Sequence, residues 1–254
     1  MIFLIGSSGL IGSAFKRHFS NNSIKFQSIT RRNKKKFYGK KCDLLIDCNG
    51  NGSKRAGIQN PFFDFNASVL TVVENLTKIN YKKYIYISTM QVYEGLKNKK
   101  LSNEDSSIRY NKINNYGFNK LISELYVKKY AKSYLVIRLP YVIGPGLSRN
   151  PFYDIRFKKK TYLSLDSQIN CIHTDTIAKL TMQLNKKNNE TYNLGSNDTV
   201  KVRQILEILN LKNKDLKETI KTKDLNNVNL EKVKKIIKLP KAHLESKKYL
   251  FGEK

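Results

Sequence analysis

Short apolar runs alternate with segments of helical period from Met1 to Leu139. Residues 1–5 form the first run and stop at Gly6. Leu10, Ile11, Ala14 and Phe15 then keep a helical period, which predicts a helix reaching His18 or Phe19. Residues 24–29 read as the second strand, and residues 43–48 (DLLIDC) as a third, buried on both faces. Pro61 opens a helix whose Phe65, Val69, Val72, Val73 and Leu76 share one period. Residues 83–88 are rich in strand formers, 96–115 are polar and irregular, and 116–131 are helical, with Leu121, Ile122, Leu125 and Tyr126 on the apolar face. Residues 134–139 make the next strand, and 140–146 a turn-rich exit.

Strands and helices in this order predict an α/β fold: a Rossmann-type, doubly wound parallel sheet covered on both faces. Beyond Gly146 the segments are shorter and mixed, with helices expected at 175–184, 202–209 and 230–237. The expected division is a core over 1–146 and a reduced mixed α/β region over 147–254, interleaved with that core. No internal repeat is present.

A chain of 254 residues with 40% hydrophobic content can bury a sizeable core. Its 48 basic and 20 acidic residues leave a net charge of +28. That balance suits anionic partners such as nucleotides, sugar phosphates, nucleic acid or an anionic membrane surface. It also fits a broad bias toward Lys, Asn and Ile, because the basic residues are scattered and form no long tail. Cys42, Cys48 and Cys171 have no metal-ligand spacing and are odd in number, so neither a metal site nor a disulfide framework is expected. The N-terminus is unlike a signal peptide and no apolar stretch has the length of a membrane span, so a cytoplasmic protein is expected.

The candidate chemistry begins at the first turn. Gly6, Gly9 and Gly12 recur every three residues between the first strand and helix. Gly6 suits a sharp turn, Gly9 lets backbone approach a pyrophosphate, and Gly12 lets the helix pack on the strand. With Ser8, Leu10 and Ile11 they form the expected cofactor-binding turn, where free N–H groups at the helix start meet phosphate. Asn49 and Gly50, in the NGNG loop after the third strand, lie on the same carboxyl edge. Dinucleotide folds often place an acidic residue after the second strand to take the ribose hydroxyls. Thr30 stands there instead, followed by Arg31 and Arg32. Two arginines suit a 2′-phosphate, so NADP(H) is expected ahead of NAD(H). A plain basic loop running into Lys34–Lys36 is the alternative.

Tyr116 and Lys120 are four residues apart and share one helix face. A neighbouring ammonium lowers a tyrosine pKa toward neutrality, and such a tyrosine can exchange a proton as carbonyl and alcohol interconvert. Ser88 and Thr89 reach the sheet edge at the end of the mid-chain strand, and the Thr89 hydroxyl could polarise the same oxygen.

Together these segments resemble the extended short-chain dehydrogenase/reductase family, which comprises nucleotide-sugar epimerases, dehydratases and reductases. GSSGLIG is similar to its glycine motif, YIYISTMQVYE to its Ser-Thr strand, and YGFNK to its Tyr-x-x-x-Lys. VIRLPYVIGPG, NCIHTDTIA and TYNLGS resemble its later motifs, and Asn66 falls where it often has an Asn-Val-x-Gly-Thr helix. The resemblance implies Tyr116 as acid/base, Lys120 as holder of the nicotinamide ribose, and Thr89, or alternatively Ser88, as hydroxyl partner. Pro140 and Tyr141 would line the pocket near the nicotinamide, with Met90, Gln91, Arg149 and Arg156 meeting substrate.

Departures narrow the reaction. Met90 and Gln91 replace the Asp-Glu pair of the family's 4,6-dehydratases, so dehydration is not expected. Epimerases hold NAD tightly, whereas Arg31 and Arg32 favour exchangeable NADPH. The expected function is therefore an NADPH-dependent reductase of a 4-keto nucleotide sugar serving cell-surface polysaccharide synthesis. An NAD-retaining 4-epimerase is the alternative, and a non-catalytic dinucleotide- or nucleic-acid-binding relative the third. Glu94 stands where the family has glycine, and the region after Gly146 is short for a nucleotide-sugar site. Cys171 and His173 offer a second acid/base pair, but a structural histidine is the expected reading. The family often dimerises through the Tyr-x-x-x-Lys helix, which points to Tyr126 and Tyr130 as homodimer contacts.

Overall fold

The computed structural model describes residues 1–212 and 216–252. β1 (Ile2–Ile5) leads through the glycine turn into α1 (Leu10–Asn21) and on to β2 (Phe26–Ile29) and β3 (Lys41–Asp47). Then follow α2 (Lys54–Gln59), α3 (Pro61–Phe65), α4 (Thr71–Lys78), β4 (Asn80–Thr89), α5 (Asn115–Tyr130) and β5 (Tyr134–Leu139). The remaining strands are β6 (Tyr141–Ile143), β7 (Lys160–Leu163), β8 (Gln168–Ile169), β9 (Cys171–His173), β10 (Glu190–Asn193), β11 (Val200–Lys201) and β12 (Lys217–Thr222). Among them lie α6 (Pro151–Lys158), α7 (Thr174–Leu184) and α8 (Val202–Ile208), and α9 (Glu231–Lys234) and α10 (Ala242–Phe251) close the chain.

Six strands form one parallel sheet in the order β10-β5-β4-β3-β1-β2. The order reverses between β1 and β3, where a doubly wound sheet opens a crevice beyond its carboxyl ends. Strand alternation supplies both faces. Leu4, Leu44, Ile46, Ile85, Ile87, Leu135 and Ile137 pack with Phe15, Phe19, Ile177 and Leu184, the faces of α1 and α7. Phe3, Ile5, Leu45, Tyr84, Tyr86 and Val136 pack with Val72, Leu76 and Val127, the faces of α4 and α5. The apolar residues that marked the strands are thus the two halves of this core.

A third cluster joins Ile143, Phe152, Ile155, Ile169 and Cys171 to Val200, Ile205, Ala242, Tyr249 and Leu250. It forms a second lobe, in which β6 pairs with β9, β7 with β12, and β8 with β11. Between these segments, α7 and β10 return to the main sheet.

Several elements depart from the sequence pattern. The helix expected from Pro61 is continuous in path but widens into a π turn at Asn66–Leu70. The helix expected at 230–237 is reduced to one turn, α9. α2, α6 and α10 carry no clean apolar stripe. α10 buries Ala242, Glu245 and Ser246 beside Tyr249 and Leu250, and small or polar residues on the inner face conceal the period. α6 is announced by its cap instead: Asn150 accepts from the Tyr153 amide at 3.1 Å and Pro151 opens the first turn. No helix among the described residues is long and apolar enough to cross a membrane.

Candidate active site

The glycine turn is built on contacts that exclude side chains. Gly6 has φ +73°, and its amide donates to the Ile29 carbonyl at 3.0 Å. The Gly9 amide donates back to the Gly6 carbonyl at 2.9 Å. A Cβ on Gly12 would overlap that same carbonyl oxygen, so any larger residue would push α1 off the turn. Gly9 caps α1 without a side-chain hydrogen bond, and no acidic residue occupies the first turn. Ser8 and Gly9 are exposed, with Leu10 and Ile11 half-buried behind them. A helix start with free backbone amides and no acid in its first turn fits a pyrophosphate. Thr30 turns the chain at the end of β2, its amide donating to Asn33 Oδ1 at 2.7 Å, and Arg31 and Arg32 emerge exposed on the same edge.

Across the crevice, the Asn49 amide donates to Asp47 Oδ1 at 2.8 Å. Gly50 follows with φ +125°, and a Cβ there would come 3.0 Å from Lys120 Nζ. The loop after β3 therefore lies directly against α5.

Thr89 ends β4. Its Oγ1 accepts from the Gln91 amide at 3.2 Å and caps the short turn Met90–Val92. Asn114 caps α5 by accepting from the Gly117 amide at 3.1 Å. A Cβ on Gly117 would overlap the Gln91 carbonyl oxygen, so the helix start sits directly on this turn. Tyr116, half-buried, shares a hydrogen bond with the Thr89 side chain. One turn later Lys120, 5% exposed, donates from Nζ to the Ile87 carbonyl at 3.3 Å and lies 5.0 Å from the centre of the Tyr86 ring.

The electrostatics correct one expectation. Burial pushes Tyr116 up to about 12; the Thr89 hydrogen bond opposes this and the Asp64 charge adds to it. The phenol is therefore not brought toward neutrality: desolvation of the phenolate is the largest influence on it. Burial likewise lowers Lys120, against the attraction of Asp47, Asp64, Cys48 and Glu124.

Two candidates face elsewhere. Ser88 alternates with Thr89 along the strand and donates to Glu124 Oε1 at 2.6 Å. Glu124 is held by Arg138 at 2.7 Å in a fully buried ion pair, and Arg138 also donates to the Tyr93 hydroxyl at 2.6 Å. Ser88 is therefore committed to this buried network and is not the hydroxyl beside Tyr116. Met90, expected at the substrate, turns inward instead and is 1% exposed within the core. Gln91 and Pro140 are half-buried, and Arg149 is exposed. The Tyr141 hydroxyl donates to Asp224 Oδ2 at 3.1 Å. Arg156 is tied into the second lobe: it donates to the Tyr249 carbonyl at 2.6 Å and stacks against the Phe157 and Tyr249 rings. Cys171 and His173 also lie in that lobe, and His173 caps α7 through Nδ1, which accepts from the Asp175 amide at 3.3 Å.

Sequence reasoning passed over the acids and amides behind the site. Asp47 accepts from Asn75 Nδ2 at 2.7 Å and from the Tyr84 hydroxyl at 2.5 Å. Asp64, fully buried, accepts from Asn51, Ser68 and Asn119. Ser68, rather than the half-buried Asn66, faces the loop after β3, its Oγ accepting from the Asn51 amide at 3.3 Å. The available signal was scarcity: the chain has only 20 acids, and several fall within otherwise apolar elements.

A switch-point crevice with a glycine cradle on one side and a Thr-Tyr-Lys set on the other defines a dinucleotide-dependent α/β enzyme fold. The chain belongs to the NAD dependent epimerase/dehydratase family, whose model matches residues 2–195, and so to the extended short-chain dehydrogenases/reductases. The fold is similar to that of a dTDP-4-dehydrorhamnose reductase from Clostridium acetobutylicum, with TM-score 0.81, 14% identity and 98% of each chain covered. A UDP-galactose 4-epimerase gives TM-score 0.78 at 17% identity, covering 98% of this chain and 97% of its own. A dTDP-4-dehydrorhamnose reductase from Bacillus anthracis in complex with NADP gives 0.80 at 13% identity, covering 99% and 98%. At such identities the likeness is one of fold. No curated protein matches the chain in sequence.

Proposed function

We propose that the protein is an NADPH-dependent reductase of a keto sugar carried on a nucleotide, with a 4-keto nucleotide sugar as the substrate class. The observation that carries this reading is Tyr116 hydrogen-bonded to Thr89, with Lys120 one turn away and no carboxyl group at Met90 or Gln91. Bound NADPH would supply a hydride to the ketone carbon. With its pKa raised to about 12, Tyr116 is a neutral phenol at ordinary pH and so a proton donor, as reduction requires. It gives its proton to the ketone oxygen, while the Thr89 hydroxyl hydrogen-bonds that oxygen and fixes its position. Lys120 holds the nicotinamide ribose and stabilises the phenolate left behind. The free amides of Leu10 to Gly12 take the pyrophosphate, with Gly9 letting it approach, and Arg31 and Arg32 take the 2′-phosphate. Gln91, Tyr141 and Arg149 remain the proposed substrate contacts, and the second lobe within 147–254 is proposed to close over the nucleotide end.

The test is to release and identify any dinucleotide carried by the purified protein, then titrate the stripped protein with NADPH and NADH. Exchangeable NADPH, preferred over NADH by about tenfold and losing that preference in Arg31→Ala/Arg32→Ala, is the expected result. Tightly retained NAD overturns the reductase reading in favour of a 4-epimerase. Absence of dinucleotide binding overturns both.

A further inference from the structure

Behind Tyr116 lies a fully buried carboxylate that neither the glycine motif nor the Tyr-x-x-x-Lys motif includes. Asp64, on α3, accepts from the loop after β3, from the π turn that continues its own helix, and from α5. Asn51 Nδ2, from the loop after β3, donates to its Oδ1 at 2.8 Å. Ser68 Oγ, from the π turn, donates to the same oxygen at 3.3 Å. Asn119 Nδ2, on α5 between Tyr116 and Lys120, donates to Oδ2 at 2.7 Å. Asn51 Nδ2 also donates to the Ser53 carbonyl at 2.9 Å, which fixes the loop entering α2. Gly57 on α2 closes the other side: a Cβ there would come 3.0 Å from both Asp64 Oδ2 and Tyr116 Cβ. Loop, π turn and catalytic helix thus converge on one charged group from which water is excluded.

We propose that Asp64 is a positioning residue that clamps the loop after β3 to the catalytic helix and so presents Lys120 to the ribose of a bound dinucleotide. This inference rests on the dinucleotide half of the proposed function. Three charge-assisted hydrogen bonds to one buried carboxylate are more than an α3 contact with α5 needs for packing. Their placement matters more than their number. Asn119 fixes the rotation of α5 between its two functional residues, and Asn51 fixes the loop whose Gly50 lies against Lys120 Nζ. The charge also acts at a distance. Lys120 faces Asp47 and Cys48 at the end of β3, Glu124 on its own helix and Asp64 on α3, and each favours its charged form against the burial that opposes it. Removing Asp64 therefore lowers the pH at which Lys120 loses its proton.

The experiment follows NADPH binding by fluorescence titration across the alkaline range, for the wild type and Asp64→Asn, and needs no sugar substrate. The expected result is affinity about tenfold weaker near neutrality, with binding lost at a lower pH than in the wild type. Loss of binding at the wild-type pH overturns the proposal even if the variant melts earlier, because a purely structural carboxylate leaves the titration of Lys120 unmoved. If Asp64→Asn does not fold, Asn119→Ala decides, since it cuts the tie to α5 and keeps the charge. Affinity about threefold weaker supports the clamp, and wild-type affinity overturns it. A wild-type protein that binds NADPH but reduces no keto sugar strikes the reductase reading alone, whereas one that binds no dinucleotide strikes both.

Discussion

Two places in this molecule hold side chains of catalytic type, and the fold treats them in opposite ways. At the end of β4 and the start of α5, the polar atoms keep capacity to spare. Lys120 Nζ, with three donor protons, has the Ile87 carbonyl as its protein acceptor among the described residues, and the Tyr116 hydroxyl is tied to the Thr89 side chain. In β9 of the second lobe, Cys171 and His173 are committed to structural contacts. Cys171 Sγ lies 3.7 Å from the Ala242 carbonyl and 3.5 Å from Ser246 Oγ, and burial pushes its thiol up to about 12. The His173 amide donates to Glu245 Oε2 at 2.7 Å, Nδ1 caps α7, and burial with Lys248 nearby pushes the ring down to about 4. Both are neutral, and Cys171 Sγ and His173 Nδ1 are spent on partners within the fold. Residue type alone therefore does not separate the two places; what differs is how far their polar atoms are spent on partners within the fold.

The comparison breaks most visibly at Tyr116. Tyr116→Phe is expected to lower keto-sugar turnover about a thousandfold while NADPH affinity stays at the wild-type value. Steady-state kinetics with full activity retained would remove Tyr116 from the chemistry and the contrast with it.

Just beneath the site, the next effect is on stability alone. Arg138→Met leaves Glu124 buried without its partner, at an expected cost of about 3–5 kcal/mol in urea unfolding. A loss under about 1 kcal/mol would mean that Ser88 and its network are not held by charge.

His173 sharpens the contrast through pH. Its folded pKa, about 4, lies below the ordinary value of 6.5. Between these values the unfolded chain takes up a proton that the folded chain refuses, so stability falls as pH falls through that window and levels off below it. His173→Asn, which can still cap α7, is expected to escape about 2 kcal/mol of that loss between pH 7 and pH 4. Parallel stability curves for the two proteins would show that His173 is not buried neutral.

The smallest effect is expected at Cys171. Cys171→Ala should cost about 1 kcal/mol and leave turnover unchanged. A drop in turnover with stability intact would return Cys171 to the list of reacting groups.

Much of the first half was legible because its signals are local. The glycine spacing, the apolar runs of β1, β3, β4 and β5 and the Tyr116–Lys120 spacing each depend on neighbours within one or two turns. Less was legible where a side chain answers to a distant partner. Thr89 was the expected hydroxyl partner with Ser88 as the alternative, and what Ser88 bonds instead is Glu124, 36 residues away. Met90 was expected at the substrate because the resemblance matches it to the first acid of the dehydratase pair, but the turn after Thr89 directs it into the core. Ser68, in the π turn that periodicity does not announce, meets Asn51 from the loop after β3, 17 residues away. Asp64 and Asn119 are 55 residues apart, and neither spacing nor period links them. α10 stayed hidden because its buried face includes Ala242, Glu245 and Ser246.

By itself the sequence determined the parallel sheet, the glycine turn at its first crossing and the presence of Tyr116 and Lys120 on one helix face. These follow from periodicity and from conformations that glycine alone adopts freely, both properties of short stretches of chain. Only the tertiary structure decided which hydroxyl meets Tyr116, which acids surround Lys120, and whether the tyrosine is held as phenol or phenolate. Those outcomes depend on burial and on charges brought together from distant parts of the chain, and desolvation, the largest of these influences on Tyr116, exists only once the chain has folded.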